Sequence, residues 1–156
     1  MSKLSDEMEA VLRAKREAAG GWASNASATA IMRANVRRDT KPEIAVRRLL
    51  HAAGLRYRVD VAPLSSDKRR RADIVFTRKK IAMFIDGCFW HGCPQHFVLP
   101  KANADYWKPK IARNRERDSE TTARLEEEGW LALRFWEHEE PADVARRVVE
   151  ACALAD

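Results

Sequence analysis

The chain has 156 residues, enough for one domain with a sizeable core and too few for two ordinary ones. Hydrophobic residues make up 46 % and charged residues 33 %, the balance of a soluble globular protein, and no apolar run approaches the roughly 20 residues of a membrane-spanning helix. Lysine and arginine number 29 against 23 acids, a net charge of +6, which fits a protein that works on a polyanion.

Residues 3–19 read as a helix, charged throughout and without the apolar stretch of a signal peptide. The glycines and small residues of GGWASNASATA at 20–30 then mark an arm or linker, so the chain divides into an N-terminal helix and flexible arm, 1–30, and a main domain, 31–156. Thr40, Pro42 and Glu43 form a T-x-x-E capping box with proline in the first turn, and Val46, Leu49, Leu50 and Ala53 follow on one helical face up to Gly54. RYRVDV (56–61), ADIVF (72–76) and KIAMFID (80–86) read as strands, the last two joined as a hairpin through Thr77, Arg78 and Lys79. A long helical pattern covers 105–128, with Pro109 tolerable near its start and Gly129 ending it. WLALRFW (130–136) is a further strand and PADVARRVVEACALA (141–155) a proline-initiated helix. The order predicts an α/β fold, a mixed sheet flanked by helices.

Only three cysteines are present, an odd and sparse count that argues for a reducing, cytoplasmic setting where thiols are available to metal. Cys88, Cys93 and His96 form C-x4-C-x2-H, and His138 lies just past a predicted strand. Two thiolates and two imidazoles suit tetrahedral zinc and leave no open position, which makes such a metal structural. The competing reading has small core cysteines and solvated histidines. Cys152 and His51 take that reading, and His91 remains as an extra histidine inside the cluster.

Asp73 opens one hairpin strand and Asp86 closes the other, so the two acids are candidates for one site. Clustered carboxylates suit magnesium, and with a basic protein they point to phosphodiester cleavage; two unrelated solvated acids are the alternative. On the long helix, Trp107, Ile111, Asn114, Asp118, Thr122 and Leu125 share a narrow stripe, which turns Asp118 inward, where a carboxylate needs a partner. His91, as an acid–base group, and an arginine are both open as that partner. Glu43 is fully explained by its capping box. Phe89 and Trp90 in the metal loop, with Trp107, are candidate wedges between base pairs, against ordinary packing. Lys68, Arg69, Arg70 and Arg71 are candidate phosphate contacts, against a solvated loop.

The segments MRANVRRDTKPEIAVRRLL, ADIVF, FIDGCFWHGCP, YWKPKIARNRERD and GWLALRFWEH, in this order over roughly residues 32–138, resemble the very short patch repair (Vsr) endonucleases, which nick mismatched DNA. The resemblance implies a restriction-endonuclease-like fold with a structural zinc. It also implies magnesium-dependent nicking on the 5′ side of a thymine mispaired with guanine, the product of 5-methylcytosine deamination. Carried over by position, Asp73 is the magnesium carboxylate, the main-chain carbonyl of Ile85 a second oxygen on that metal, and His91 the general base or water-orienting group. Asp118 falls on the acid supporting His91, Glu43 on an auxiliary acid, Asp86 on a variable position of the site, and Phe89, Trp90 and Trp107 on the inserted aromatics. A monomer acting on double-stranded DNA with a T:G mispair follows, with other mismatch repair proteins as further partners. Two departures stand out: Asp86-Gly87-Cys88 lacks the lysine of the D/E-x-K element of related nucleases, and Ala72 replaces a common proline before the metal aspartate. The rival expectations are a restriction-type nuclease acting on unmodified duplex and a zinc-stabilised DNA-binding module without catalysis.

Overall fold

The computed structural model of the protein describes residues 38–156, so the predicted helix at 3–19 and the arm at 20–30 lie outside the described residues. Residues 38–98 and 109–156 belong to one compact unit, and the segment 99–108 belongs to another.

The described elements follow the predicted order: α1 (Lys41–Ala52), β1 (Arg58–Val61), β2 (Ala72–Phe76), β3 (Ile81–Asp86), α2 (Ala104–Glu127), β4 (Leu131–Trp136) and α3 (Pro141–Leu154). The strands form one four-stranded mixed sheet in the order β1-β2-β3-β4. β1–β2 and β2–β3 are antiparallel, whereas β3 and β4 are parallel, with α2 in the connection between them. β3 has a neighbour on each side and a helix layer over each face, which is why IAMFID is a nearly continuous apolar run rather than an alternating one.

One face of the sheet carries Ile74, Phe76, Ile81, Met83 and Phe135 against Val46 and Leu50 of α1 and Val144, Val148 and Cys152 of α3. The other carries Val75, Ala82 and Phe84 against Leu125 of α2 and Leu64. Each fully buried aliphatic side chain here contributes roughly 1.5–3 kcal/mol, so these layers hold the strand ends in register. Cys152 is buried in the first layer, a small core residue as expected.

The capping box at α1 differs from expectation. Thr40 makes no side-chain bond to a helix N–H. Instead its hydroxyl donates to Glu43 Oε1 at 2.9 Å, and Glu43 Oε2 accepts from the Asp39 N–H at 3.0 Å and from Arg47 Nη2 at 2.8 Å. The carboxylate is an acceptor only, and once buried to 3 % exposure it draws every nearby donor, the threonine hydroxyl included. Pro109, in the second turn of α2, withholds one N–H from that helix and lies near its start as predicted.

Two pairings place the functional residues. The parallel register Asp86↔Trp136 brings the C-terminal ends of β3 and β4 side by side, so residues 87–97 and 137–140 leave from the same edge. The antiparallel pairs of β2 and β3 run from Phe76↔Ile81 to Ile74↔Met83, which sets the start of β2 beside the end of β3.

Candidate active site

The loop after β3 is pinned at its second residue, because Glu137 Oε1 accepts the Cys88 N–H at 2.8 Å while the Glu137 N–H donates to the Asp86 carbonyl at 3.0 Å. Turn bonds from the Cys93 N–H to the Cys88 carbonyl and from the Phe97 N–H to the Cys93 carbonyl wind it back on itself. Gly92 allows the closest approach: its φ is +66°, and a Cβ there would sit 3.0 Å from Ile111 and 3.1 Å from Arg115.

This loop and the end of β4 bring Cys88, Cys93, His96 and His138 together, with ligand atoms all within 4.8 Å of one another. Cys88 Sγ lies 3.2 Å from His138 Nδ1, and Cys93 Sγ lies 3.7 Å from both His96 Nδ1 and His138 Nδ1. The two Nδ1 atoms are 3.2 Å apart. Zinc bonds of about 2.3 Å to sulfur and 2.0–2.1 Å to nitrogen give tetrahedral edges of about 3.5 Å for S···N and about 3.3 Å for N···N. The four side chains match that outline and could hold zinc. Burial, with the neighbouring Cys93, pushes the Cys88 thiol up to about 11, a penalty that a cation between the two sulfurs removes.

His91 is not one of these four and groups instead with Asp86 and Asp118. Its Nδ1 is hydrogen-bonded to Asp118 Oδ2 and lies 3.7 Å from Asp86 Oδ1. Burial pulls the imidazole down, but the Asp118 bond and the charges of Asp86 and Asp118 outweigh it and raise its pKa above the ordinary value. The stripe on α2 is as the spacing predicts: Trp107, Ile111 and Leu125 are buried, and Asn114, Asp118 and Thr122 are partly so. Both partners left open for Asp118 are present, since Arg134 Nη1 lies 3.7 Å from Asp118 Oδ1. Arg134 chiefly holds Asp86, reaching both carboxylate oxygens at 2.9 Å. Burial raises the Asp86 pKa, with Arg134 and His91 opposing it.

Asp73 stands where the β2–β3 pairs stop, and its Oδ2 accepts the Ile85 N–H at 2.7 Å. Burial lifts its carboxyl to about 7 against the effect of that bond, and the negative charges of Glu43 and Asp86 add to the rise. Three carboxylates thus bear on one point, an electrostatic setting that favours a cation. With its oxygens on Arg134, Asp86 serves the histidine side of the site more directly than the Asp73 side.

Phe89 and Trp90 are half-buried, edge to face with ring centroids 5.2 Å apart, and Asn114 Nδ2 donates to the Trp90 carbonyl at 2.8 Å. Trp107 is only 5 % exposed, with its ring edge-on to Tyr106. The basic tract divides in two. Arg70 donates to Thr121 Oγ1 at 2.6 Å, Glu120 Oε2 at 2.8 Å, the Arg117 carbonyl at 3.1 Å and Asp67, and so ties the tract to α2. Lys68 is exposed, Arg69 is exposed with its side chain 3.3 Å from Asp67, and Arg71 pairs with Asp60 at 2.8 Å.

Residues 23–96 match the sequence model of the family described as DNA mismatch endonuclease Vsr. The type II nicking enzyme V.NaeI of Lentzea aerocolonigenes is 46 % identical over 144 residues, covering 90 % of this chain and 87 % of that protein. The chain belongs to the Vsr family. Other relatives are the type II nicking enzyme V.XorIIP of Xanthomonas oryzae pv. oryzae, 43 % identical over 65 % of this chain and 73 % of its own, and the DNA mismatch endonuclease Vsr of Escherichia coli K12. The latter is 38 % identical over 68 % of this chain and 66 % of its own. This Vsr-family protein is a DNA endonuclease, a hydrolase, which sets aside the non-catalytic binding module. Among its described residues no helix is long and apolar enough to cross a membrane.

Three residues of this Vsr-family site were not singled out from the sequence: Arg134, Glu137 and Arg47. Arg134 carried a readable signal, a charged residue in the middle of the apolar strand LALRFW. Glu137 and Arg47 carried none, because a glutamate after a strand and an arginine in a helix are ordinary surface residues until their partners are known.

Proposed function

We propose that this endonuclease nicks one strand of duplex DNA on the 5′ side of the thymine in a T:G mispair, with magnesium at Asp73 and a structural zinc on Cys88, Cys93, His96 and His138. The observation that carries the catalytic part is the His91–Asp118 pair, with Asp86 3.7 Å from His91 Nδ1 and its charge also acting on the partly buried Asp73 carboxyl. The mismatch substrate is supported by family membership and by the printed name of the Escherichia coli relative. We read the mixed sheet and its flanking helices as a restriction-endonuclease-like fold, the protein as a monomer in the cytoplasm, and other mismatch repair proteins as its partners.

The residues fit both metals. The Cys/His set has the edge lengths of a zinc tetrahedron, and the Asp73 carboxyl, which accepts the Ile85 N–H, offers hard oxygens in a negative setting, with the Ile85 main-chain carbonyl as the second oxygen we assign to magnesium. Bound there, magnesium supplies charge neutralisation at the phosphate and activates water. The protein's own part is orientation. Asp118 holds the proton of His91 on Nδ1 and leaves Nε2 to take a proton from the attacking water. Glu43, fixed by Arg47 and Thr40, acts on Asp73 as an auxiliary acid. Phe89 and Trp90 wedge beside the mispair, and Lys68, Arg69 and Arg71 contact phosphates; Arg70 serves the fold more than the DNA, and Trp107, at 5 % exposure, does not present an exposed ring.

A nicking enzyme of a type II restriction system acting on unmodified duplex is the second reading, favoured by the names of relatives such as V.NaeI and V.XorIIP. Labelled duplexes carrying T:G, C:G or methylated C:G in varied flanking sequence, with magnesium or chelator, test both. Nicking confined to T:G and dependent on magnesium is expected. Equal cleavage of C:G would favour the second reading, and cleavage in chelator would sink the magnesium mechanism.

A further inference from the structure

The chemistry proposed above gives Asp86 and Arg134 no step, yet they form the most extensively bonded charged pair beside His91. Asp86, at the end of β3, is 7 % exposed. Arg134 projects from β4, the neighbouring strand, with its guanidinium 4.2 Å from the centre of the Phe84 ring. Its Nη1 reaches both Asp86 oxygens at 2.9 Å, and its Nε donates to Thr122 Oγ1 at 3.1 Å. The aromatic face and the threonine hydroxyl fix the plane of the guanidinium, which an ammonium group could not reproduce.

Two carboxylates therefore face one imidazole nitrogen: Asp118 Oδ2 in hydrogen-bond contact with His91 Nδ1, and Asp86 Oδ1 3.7 Å from it. The Nδ1–H is a single donor and serves one of them at a time. If it turned to Asp86 the ring would rotate and Nε2 would leave its position. We infer that Arg134 and Asp86 are positioning residues for His91. Arg134 engages Asp86 and withholds it from the histidine, so Asp118 is the one acceptor of the Nδ1–H and Nε2 is presented in a single orientation. This inference rests on the reading of His91 as the group that takes the proton from water. It also explains why an arginine is built into an apolar strand, where it would otherwise be a costly choice.

The test is single-turnover nicking of a T:G duplex by the full-length protein, below the melting temperature of each variant, alongside DNA affinity measured in magnesium-free buffer. Arg134→Gln is expected to lower the single-turnover rate constant by about ten- to hundredfold, part of the contribution of an oriented base, with the half-saturating enzyme concentration and Kd changed by less than about twofold. Arg134→Lys should fall between it and the wild type. Adding Asp86→Asn to Arg134→Gln removes the competing carboxylate and should restore the rate to within about threefold of Asp86→Asn alone. Nitrogen NMR of the His91 ring, assigned against His91→Gln, should show the Nδ1–H tautomer in the wild type and the double variant and a mixture in Arg134→Gln. If Arg134→Gln does not fold, Arg134→Lys with and without Asp86→Asn makes the same comparison. Wild-type nicking by the Arg134 variants, or a double variant no faster than the single one, overturns the inference. Wild-type nicking by His91→Gln would instead overturn the reading of His91 on which it rests.

Discussion

Replacing Asp73 with asparagine should abolish nicking and at the same time make the protein more stable. Asp73 is partly buried, and its carboxyl is lifted from 3.8 to about 7, by burial first and then by Glu43 and Asp86. Between those pH values the unfolded chain has ionised this carboxyl while the folded protein still holds its proton. Folding therefore becomes less favourable as pH rises through that window, and above about 7 the penalty is complete. The lift corresponds to at most about 4 kcal/mol, and partial exposure reduces it to about 2 kcal/mol. Asparagine carries no charge to penalise, and its Oδ1 can still accept the Ile85 N–H that Asp73 Oδ2 accepts at 2.7 Å. In magnesium-free buffer at pH 7.5 the melting temperature of Asp73→Asn should exceed the wild type by roughly 4–8 °C. The gap should close as pH falls towards 4, and adding magnesium should raise the wild type alone. A variant no more stable than the wild type at pH 7.5, or a gap independent of pH, would refute the reasoning.

Cys93→Ser and His138→Ala should each lose stoichiometric zinc by atomic absorption and melt at lower temperature, since a tetrahedral set that loses one ligand no longer pins the loop after β3. Asp118→Asn should lower the nicking rate by about 10²–10⁴-fold while DNA affinity is retained, because the amide no longer holds His91 in the Nδ1–H form. Arg70→Ala should cost about 1–3 kcal/mol in denaturant melts, having lost Thr121, Glu120 and Asp67 together, and should change DNA affinity little. Arg69→Ala should do the reverse, weakening DNA binding with a shallower salt dependence and leaving stability unchanged.

The periodicities and breakers in the chain determined the elements among the described residues. Proline and glycine set the ends of α1, α2 and α3, and the apolar run of β3 marked a strand covered on both faces. The sequence also determined that Asp118 faces inward, because helical geometry alone puts it in the stripe of Ile111 and Leu125. The C-x4-C-x2-H spacing marked three members of the Cys/His cluster, since those residues are near each other along the chain.

What lay beyond it were the choices between partners. That His138 closes the cluster depends on the parallel pairing of β3 with β4, which brings together residues 42 apart in the sequence. Whether Asp118 meets a histidine or an arginine had no local answer, and the structure supplies both, His91 by hydrogen bond and Arg134 at 3.7 Å. The four consecutive basic residues from Lys68 to Arg71 read alike as a charge run, but the packing of α2 takes Arg70 into the fold and leaves Arg69 exposed. Periodicity and turn chemistry act over a few residues and are legible in one dimension. A hydrogen bond or ion pair is set by which donor reaches which acceptor after the strands have paired, and strand pairing is a contact between distant parts of the chain.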